Sequence, residues 1–319
     1  RALGAADTLS GAAFEFIDHH VAHAASAFYA SGFEESAILT LDGRGELATT
    51  MLAVGSGHMI ERVAEVNYPH SLGLLYEQVT SYLGFLNSSD EYKVMALASS
   101  GDGGLVEEFR AAVHLEPDGT YTVDRLDLSR FGPPRKPWEP LEQRHHDVAR
   151  ALQVTLEETA LALARWLHAR TGLANLCMAG GVALNCVMNA RIRDEGPFER
   201  IFVQPAAGDA GTSLGAAFAL DARERGARAE FAMRDAYLGP SFDEGAIERA
   251  LERSRLPYMR PPDVAGALAD ILAQDRIAGW FQGRMEFGPR ALGARSIVAS
   301  PRDPRMKDRL NTIKDREEF

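Results

Sequence analysis

The sequence predicts an α/β fold in two parts, and three observations carry that expectation. The runs NLCMAG (175–180) and RIFVQP (200–205) read as strands, with a helix over 182–195 between them and a small-residue helix from Gly211 to about Ala222 after them. Strand-helix-strand-helix alternation marks a βαβ layer. Upstream, AILTLD (37–42), LATTMLAV and MIERVAEV follow one another as strand-like runs joined by DGRGE and GSGH, a β-meander. The chain has 319 residues and 34.7 kDa, with 46% hydrophobic and 25% charged residues. That is globular composition and length for about two domains of ~150 residues.

FEFI (14–17) is expected as a short strand. Asp18 then N-caps a helix from His19 to about Ser31, with Gly32 just past its end. Ser71 opens the apolar helix LGLLYEQVTSYLGF. Between 115 and 146 the pattern loosens into a hairpin, EPDGTYTV, and the turn-rich FGPPRKPWEP, an expected insertion or lid outside the core in which His145 and His146 are solvent-exposed. A long amphipathic helix is predicted from Asp147 to about Thr171. A composition shift at YLGPSF places a boundary near Tyr237, giving units 1–236 and 237–319. The second unit is expected to hold helices near 243–254 and 262–275, then the strand IAGWFQ (277–282).

Composition narrows the function. No apolar run reaches the ~20 residues of a membrane span, and RALGAADTLS lacks the order of a secretory signal. Two cysteines, Cys177 and Cys186, argue against a disulfide scaffold or structural zinc site and suggest a cytoplasmic setting. A net charge of −11 argues against nucleic acid as partner. From Asp275 to Phe319, ten Lys or Arg stand against seven Asp or Glu, so this segment carries +3 and the remainder −14. That fits either a pocket for a small anion or an arginine-rich solvated surface.

Four motifs carry chemistry. In DHHVAHAAS, His19 and His23 are four apart and share a helix face, so two imidazoles can meet one metal ion; His20 points aside and is a candidate for substrate contact. The zinc-protease pattern H-E-x-x-H fails here, because the residue after His19 is histidine. Asp42-Gly43-Arg44-Gly45-Glu46 joins a strand-end carboxylate to glycines with bare N–H groups, which suits a metal–phosphate site or an ordinary hairpin turn. Gly180-Gly181-Val182-Ala183-Leu184-Asn185 opens a helix and suits a nucleotide laid against backbone. In Gly208-Asp209-Ala210-Gly211, Asp209 either reaches a metal shared with His19, His23 and Asp42 or caps a helix.

Taken in order, these motifs and the segments SLGLLYEQVTSYLGF, DEYKVMALA, MAGGVALNCVMNARI, PAAGDAGTSLGAAF and GWFQGRMEFGPRALGARSI resemble the NodU/CmcH-type O-carbamoyltransferases over nearly the whole chain. The resemblance implies an actin-like (sugar kinase/ribonuclease H-like) ATPase fold followed by the start of a YrdC-like α/β domain. It implies carbamoyl phosphate, ATP and a small-molecule hydroxyl acceptor as partners. A carbamoyl-adenylate would form with release of pyrophosphate, and the carbamoyl group would then pass to a hydroxyl of a sugar, antibiotic or similar molecule. By motif, His19, His23, Asp42 and Asp209 hold a divalent metal, iron first, with Zn2+, Mn2+ or Mg2+ as alternatives. Gly43, Gly45, Gly180, Gly181 and Asn185 line the nucleotide, and His20 and Lys93 are the catalytic candidates. Arg284, Arg290 and Arg295 fit the phosphate of carbamoyl phosphate through bidentate contacts, and Lys93 fits equally an ion pair with Asp90 or Glu91. A homodimer is compatible with all of this.

Two departures from the family pattern qualify the expectation. The strands and first phosphate loop upstream of the histidine helix, and most of the YrdC-like domain, are not within these 319 residues. The chain is therefore expected to be a central piece of a longer enzyme, impaired alone in adenylate formation. Competing readings are a tRNA threonylcarbamoyl-transferring relative, a hydrogenase-maturation carbamoyltransferase and a non-catalytic nucleotide-binding scaffold.

Overall fold

The computed structural model describes residues 13–314. The chain divides into two compact units between Met233 and Arg234. In the first, β1 (Glu35–Leu41), β2 (Ala48–Ser56) and β3 (Met59–Asn67) form the meander. Both pairings are antiparallel. After α2 (Leu72–Tyr82), α3 (Glu91–Leu97) and α4 (Val106–Arg110), the small hairpin β4 (Val113–Leu115)–β5 (Tyr121–Val123) leads to the long α5 (Gln143–Thr171). Then β6 (Asn175–Ala179) and β7 (Arg200–Val203), separated by α6 (Cys186–Glu195), join the sheet parallel to β1. The strand order is β3-β2-β1-β6-β7. A three-stranded meander continued by two parallel strands agrees with the actin-like fold that the resemblance implies.

The sheet is covered because its strands alternate two apolar faces. Register sets Ile38 beside Ala53 and Cys177, and Thr40 beside Met51 and Ala179. On that face lies α1 (His19–Ser31), which buries Ala24, Ala25, Ala27 and Phe28 at 0% exposure. Alanines bring the helix close. Even closer is the crossing of α1 with α7 (Thr212–Arg225), where a Cβ on Gly215 would come within 1.7 Å of the Ala22 carbonyl oxygen. Only glycine fits that crossing. The opposite face, with Ala37, Leu39, Leu176 and Met178, is equally buried, and α5 packs against β1.

Five sequence expectations are corrected. No strand forms over 14–17: Phe14 and Phe16 are 73% and 94% exposed and have no partner strand among the described residues. The long helix starts four residues earlier than Asp147, because Glu142 and His145 form a capping box, the Glu142 side chain accepting from the His145 N–H and His145 Nδ1 accepting from the Glu142 N–H. His145 is therefore buried in the first turn of α5 rather than solvent-exposed. The 115–146 segment is no loose lid, since Tyr121 is buried and its hydroxyl meets Thr50 Oγ1 at 2.8 Å and accepts from the Leu72 N–H. Residues 182–195 split into a 3-10 turn (Gly181–Leu184) and α6, because the Asn185 side chain caps α6 by accepting from the Met188 N–H.

The second unit holds α8 (Glu244–Arg253), α9 (Val264–Ala273), α10 (Met306–Lys314) and an antiparallel pair, β8 (Ile277–Phe281) and β9 (Arg295–Ala299). Its arginine-rich loop, 282–294, is organised around Glu286, whose side chain is fully buried. Glu286 Oε1 accepts the N–H groups of Leu292 and Ala294, and Oε2 pairs with Arg295 Nε at 3.0 Å.

Candidate metal centre

Four side chains converge where α1 begins and β1 ends. Asp18 caps α1 by accepting from the Val21 N–H, which places His19 in the first turn and His23 one turn on. Asp42 follows the last residue of β1, and Asp209 opens the short 3-10 turn before α7. His19 Nε2 lies 2.8 Å from Asp42 Oδ2 and 3.1 Å from His23 Nε2. His23 Nε2 is 3.4 Å from Asp42 Oδ2, and Asp209 Oδ1 is 3.6 and 3.7 Å from the two nitrogens. All four donor atoms lie within 4.8 Å of one another.

This set fits a cation better than it fits protons. A ring nitrogen carries at most one hydrogen, so His19 Nε2 cannot donate to Asp42 and accept from His23 at once. One of the three close contacts is then repulsive. An ion with bonds of ~2.1 Å would hold its donors about 3.0 to 3.4 Å apart, close to the separations found. Two imidazoles and two carboxylates are the donor chemistry of a first-row divalent metal. The protein builds the set from both depths: His23 is fully buried, His19 and Asp42 are at the rim, and the Asp209 side chain is 79% exposed. His23 Nδ1 is buried with no hydrogen-bond partner.

Electrostatics follow the geometry. Burial pushes the Asp42 carboxyl up, but the bonds from His19, His23 and the Gly181 N–H outweigh it and hold it well below the usual carboxylate range. The Asp42 bond raises His19 above its ordinary value, against a smaller opposing effect of burial.

Asp42 also ties the centre to the Gly-Gly turn. Its Oδ1 accepts the Gly181 N–H at 2.8 Å, while Oδ2 faces the histidines. Gly180 sits at φ +93° with no room for a side chain, since a Cβ would lie 2.1 Å from the Leu41 carbonyl oxygen. Gly45 lies against the His19 and His20 rings, and Gly43 faces the Glu77 carboxylate. Burial raises the Glu77 carboxyl above its ordinary value. Asn185 is less available than the sequence suggests. Its amide is joined to Gln153 by two bonds, Nδ2 to Gln153 Oε1 at 2.8 Å and Oδ1 from Gln153 Nε2 at 3.1 Å.

His20 is removed from substrate contact. It is 0% exposed, with Nε2 3.0 Å from the Ala48 carbonyl and Nδ1 2.7 Å from Thr40 Oγ1. A carbonyl only accepts, so Nε2 carries the hydrogen and Nδ1 accepts from the Thr40 hydroxyl. Burial drives its imidazolium down to about 4. These bonds tie α1 to β1 at Thr40 and to the start of β2 at Ala48. Lys93 pairs with Asp90 at 3.2 Å and lies over the Phe85 ring. In the second unit, Arg284 donates to the Leu238 and Gly239 carbonyls, and Arg295 donates to Glu286 and to the Gly288 carbonyl. These donors brace the loop itself. Arg290 belongs to the same loop.

Sequence reasoning missed Thr40 and Gln153. Gln153 had a signal: it stands on the apolar stripe of α5 with Ala149, Leu156 and Ala160, where an amide has no packing purpose.

Comparison with known proteins identifies the family. The profile described as carbamoyltransferase N-terminus matches residues 3–218, and carbamoyltransferase C-terminus matches 269–319. The chain belongs to the carbamoyltransferase family. It is 44% identical over 329 aligned residues to an uncharacterized protein of Synechocystis sp., covering 95% of this chain and 54% of that protein. To the nodulation protein NolO of Bradyrhizobium diazoefficiens it is 41% identical over 315, covering 95% and 57%. To nodulation protein U of Rhizobium tropici it is 35% identical over 222, covering 69% and 36%. The chain thus spans about half the length of the first two relatives. Among solved structures, full-length HypF in its phosphate- and nucleotide-bound form superposes with a TM-score of 0.41 at 16% identity, over 64% of this chain and 42% of that one. Xylulose kinase from Rhodospirillum rubrum gives 0.36 at 14%, over 68% and 44%. No helix among the described residues is long and apolar enough to cross a membrane.

Proposed function

We propose that this protein transfers a carbamoyl group from carbamoyl phosphate to the hydroxyl of a small molecule, in an ATP-dependent reaction that passes through a carbamoyl-adenylate. The observation that carries the reading is Asp42, whose two oxygens join a four-residue metal set to the Gly180–Gly181 turn. Family membership supports the carbamoyl chemistry. Gly180 and Gly181 carry no side chains, so a ligand can approach the backbone of the turn closely.

In this reading His19, His23, Asp42 and Asp209 hold a divalent metal, which when bound supplies charge neutralisation for phosphate and polarises the carbamoyl oxygen. Gly43, Gly45, Gly180 and Gly181 let the nucleotide lie against backbone. Asn185 acts from within its Gln153 pair. Water cleaves carbamoyl phosphate to carbamate and phosphate. A carbamate oxygen bonds to the α-phosphorus of ATP as pyrophosphate leaves. The acceptor oxygen then bonds to the carbamoyl carbon as AMP leaves, and the hydroxyl proton passes to solvent. Arg284, Arg290 and Arg295 are the arginines assigned to carbamoyl phosphate, in a loop that Arg284 and Arg295 also brace. In this reading residues 1–236 belong to the actin-like transfer domain and 237–319 to the YrdC-like domain. A cytoplasmic setting is supported by two cysteines with no disulfide between them.

The test is metal analysis of the purified protein beside the double variant His19→Ala, His23→Ala, with pyrophosphate release followed in the presence of ATP and carbamoyl phosphate. Near one equivalent of metal in the wild type, lost in the double variant, is expected, together with tighter retention when ATP is present. Tight ATP binding with no metal under any condition would replace this reading with a nucleotide-binding scaffold.

A further inference from the structure

The long helix α5 contributes nothing to the metal set, yet it carries a buried polar network that reaches the Gly180–Asn185 turn through Asn185. Gln153 is 1% exposed. Its Oε1 accepts the Tyr76 hydroxyl at 3.0 Å and Asn185 Nδ2 at 2.8 Å, and its Nε2 donates to Glu157 Oε1 at 2.8 Å and to Asn185 Oδ1 at 3.1 Å. Glu157 Oε2 in turn faces Arg191 at 3.4 Å. Every polar atom of the Gln153 side chain is used.

Burying an amide among leucines costs free energy unless all its bonds are made, and a leucine would fill the same space without that requirement. What the amide does and a leucine cannot is fix Asn185 by two reciprocal bonds. Asn185 is the hinge of the turn: its Oδ1 caps α6 through the Met188 N–H. The other end of the turn is fixed by the Gly181–Asp42 bond. Asp42 thus holds the turn from the metal side and Gln153 holds it from the helix side.

We propose that Gln153 is a positioning residue for ligand binding, clamping Asn185 so that the Gly180–Asn185 turn presents its backbone in one geometry to a nucleotide. This rests on the reading of that turn as a nucleotide site. Tyr76 and Glu157 set the amide's orientation, one by donating to its oxygen and the other by accepting from its nitrogen. Both Asn185 bonds need the 153 side chain to offer one accepting and one donating atom. A carboxylate there sets its second oxygen against Asn185 Oδ1 and Glu157 Oε1. Tyr76→Phe, by contrast, leaves both Asn185 bonds in place with Glu157 still orienting the amide.

The experiment is titration calorimetry of ATP into the full chain at low temperature, with metal content and melting temperature measured for each variant. Gln153→Leu is expected to weaken ATP binding at least tenfold with the metal content unchanged. Gln153→Glu is expected to weaken it similarly, since its second oxygen then faces Asn185 Oδ1 and Glu157, and Tyr76→Phe, which keeps both Asn185 bonds, to stay within threefold of wild type. Wild-type affinity in folded Gln153→Leu overturns the inference, as does a folded Tyr76→Phe that loses as much as the Gln153 variants. Should Gln153→Leu fail to fold, the comparison of Gln153→Glu with Tyr76→Phe decides. A wild-type chain that binds metal but no ATP removes the nucleotide reading of the turn, and this inference with it.

Discussion

Acidification should expose His20 as a neutral, structural imidazole. The group is fully buried and held by Thr40 and the Ala48 carbonyl, and its folded value lies near 4 against an ordinary 6.5. A depressed histidine works against the fold in acid: the unfolded chain takes up its proton below about pH 6.5, while the folded chain resists until about pH 4. Its neutral form is therefore fully compatible with folding above pH 6.5, and stability is lost progressively as pH falls between those values. At about 1.4 kcal/mol per unit of pKa, the loss reaches about 3 kcal/mol at pH 4. The assay is urea unfolding of metal-free protein between pH 7.5 and 4, followed by circular dichroism, for the wild type and His20→Gln. The amide keeps a donor near the Ala48 carbonyl and does not titrate, so the variant should lose about 3 kcal/mol less across the window. Parallel loss in both proteins would refute the argument. So would a variant that keeps its stability and metal but loses more than a thousandfold in transfer rate, because His20 would then act on substrate.

Two further outcomes follow from packing. Gly215→Ala forces a methyl into the Ala22 carbonyl, so α7 must move off α1; overpacking of about 1–3 kcal/mol is expected. Because α7 follows Asp209, metal affinity should fall at least tenfold as well, read by melting temperature and metal titration together. For the thiols, Cys177 is buried, with its value pushed up to about 11 by burial, whereas Cys186 is exposed. A chromogenic disulfide reagent should therefore titrate one thiol in native protein and two in denaturant, and Cys186→Ser should leave no fast-reacting thiol.

The site was legible to the extent that its geometry is local. Four residues along a helix is one turn, so His19 and His23 had to share a face, and an aspartate ending a buried strand had to sit at the sheet's edge. The meander and βαβ layer were legible for the same reason, because periodicity reports burial. What sequence could not carry was partnership across the chain. Phe14 and Phe16 have strand propensity but no neighbouring strand among the described residues, and propensity without pairing forms nothing. Glu142 and His145 cap α5 from within a stretch whose prolines suggested only turns. Tyr121, in a hairpin that looked peripheral, is fixed to β2 and α2 by its hydroxyl. His20 looked chemical beside two candidate metal-ligand histidines, and only the folded chain brings Thr40 and Ala48 against both its ring nitrogens.

Asp42 explains why these pieces form one device. A carboxylate at the end of β1 has two oxygens, and this fold gives each a different partner, the histidines for Oδ2 and the Gly181 N–H for Oδ1. The parallel pairing of β1 with β6 makes that possible, because their carboxyl ends finish side by side, Thr40 opposite Ala179. Whatever tightens the Gly181 N–H on Oδ1 also orients Oδ2, so in the proposed function ligands at the turn and at the metal set would share one group. Binding at the two places would then be linked, and the linkage reciprocal. Gln153 enters at the far end of the same turn. The turn is consequently held at both ends by side chains from outside it, one acidic and rim-facing, one neutral and buried. Rigidity of this kind reduces the ordering cost a ligand must meet on binding.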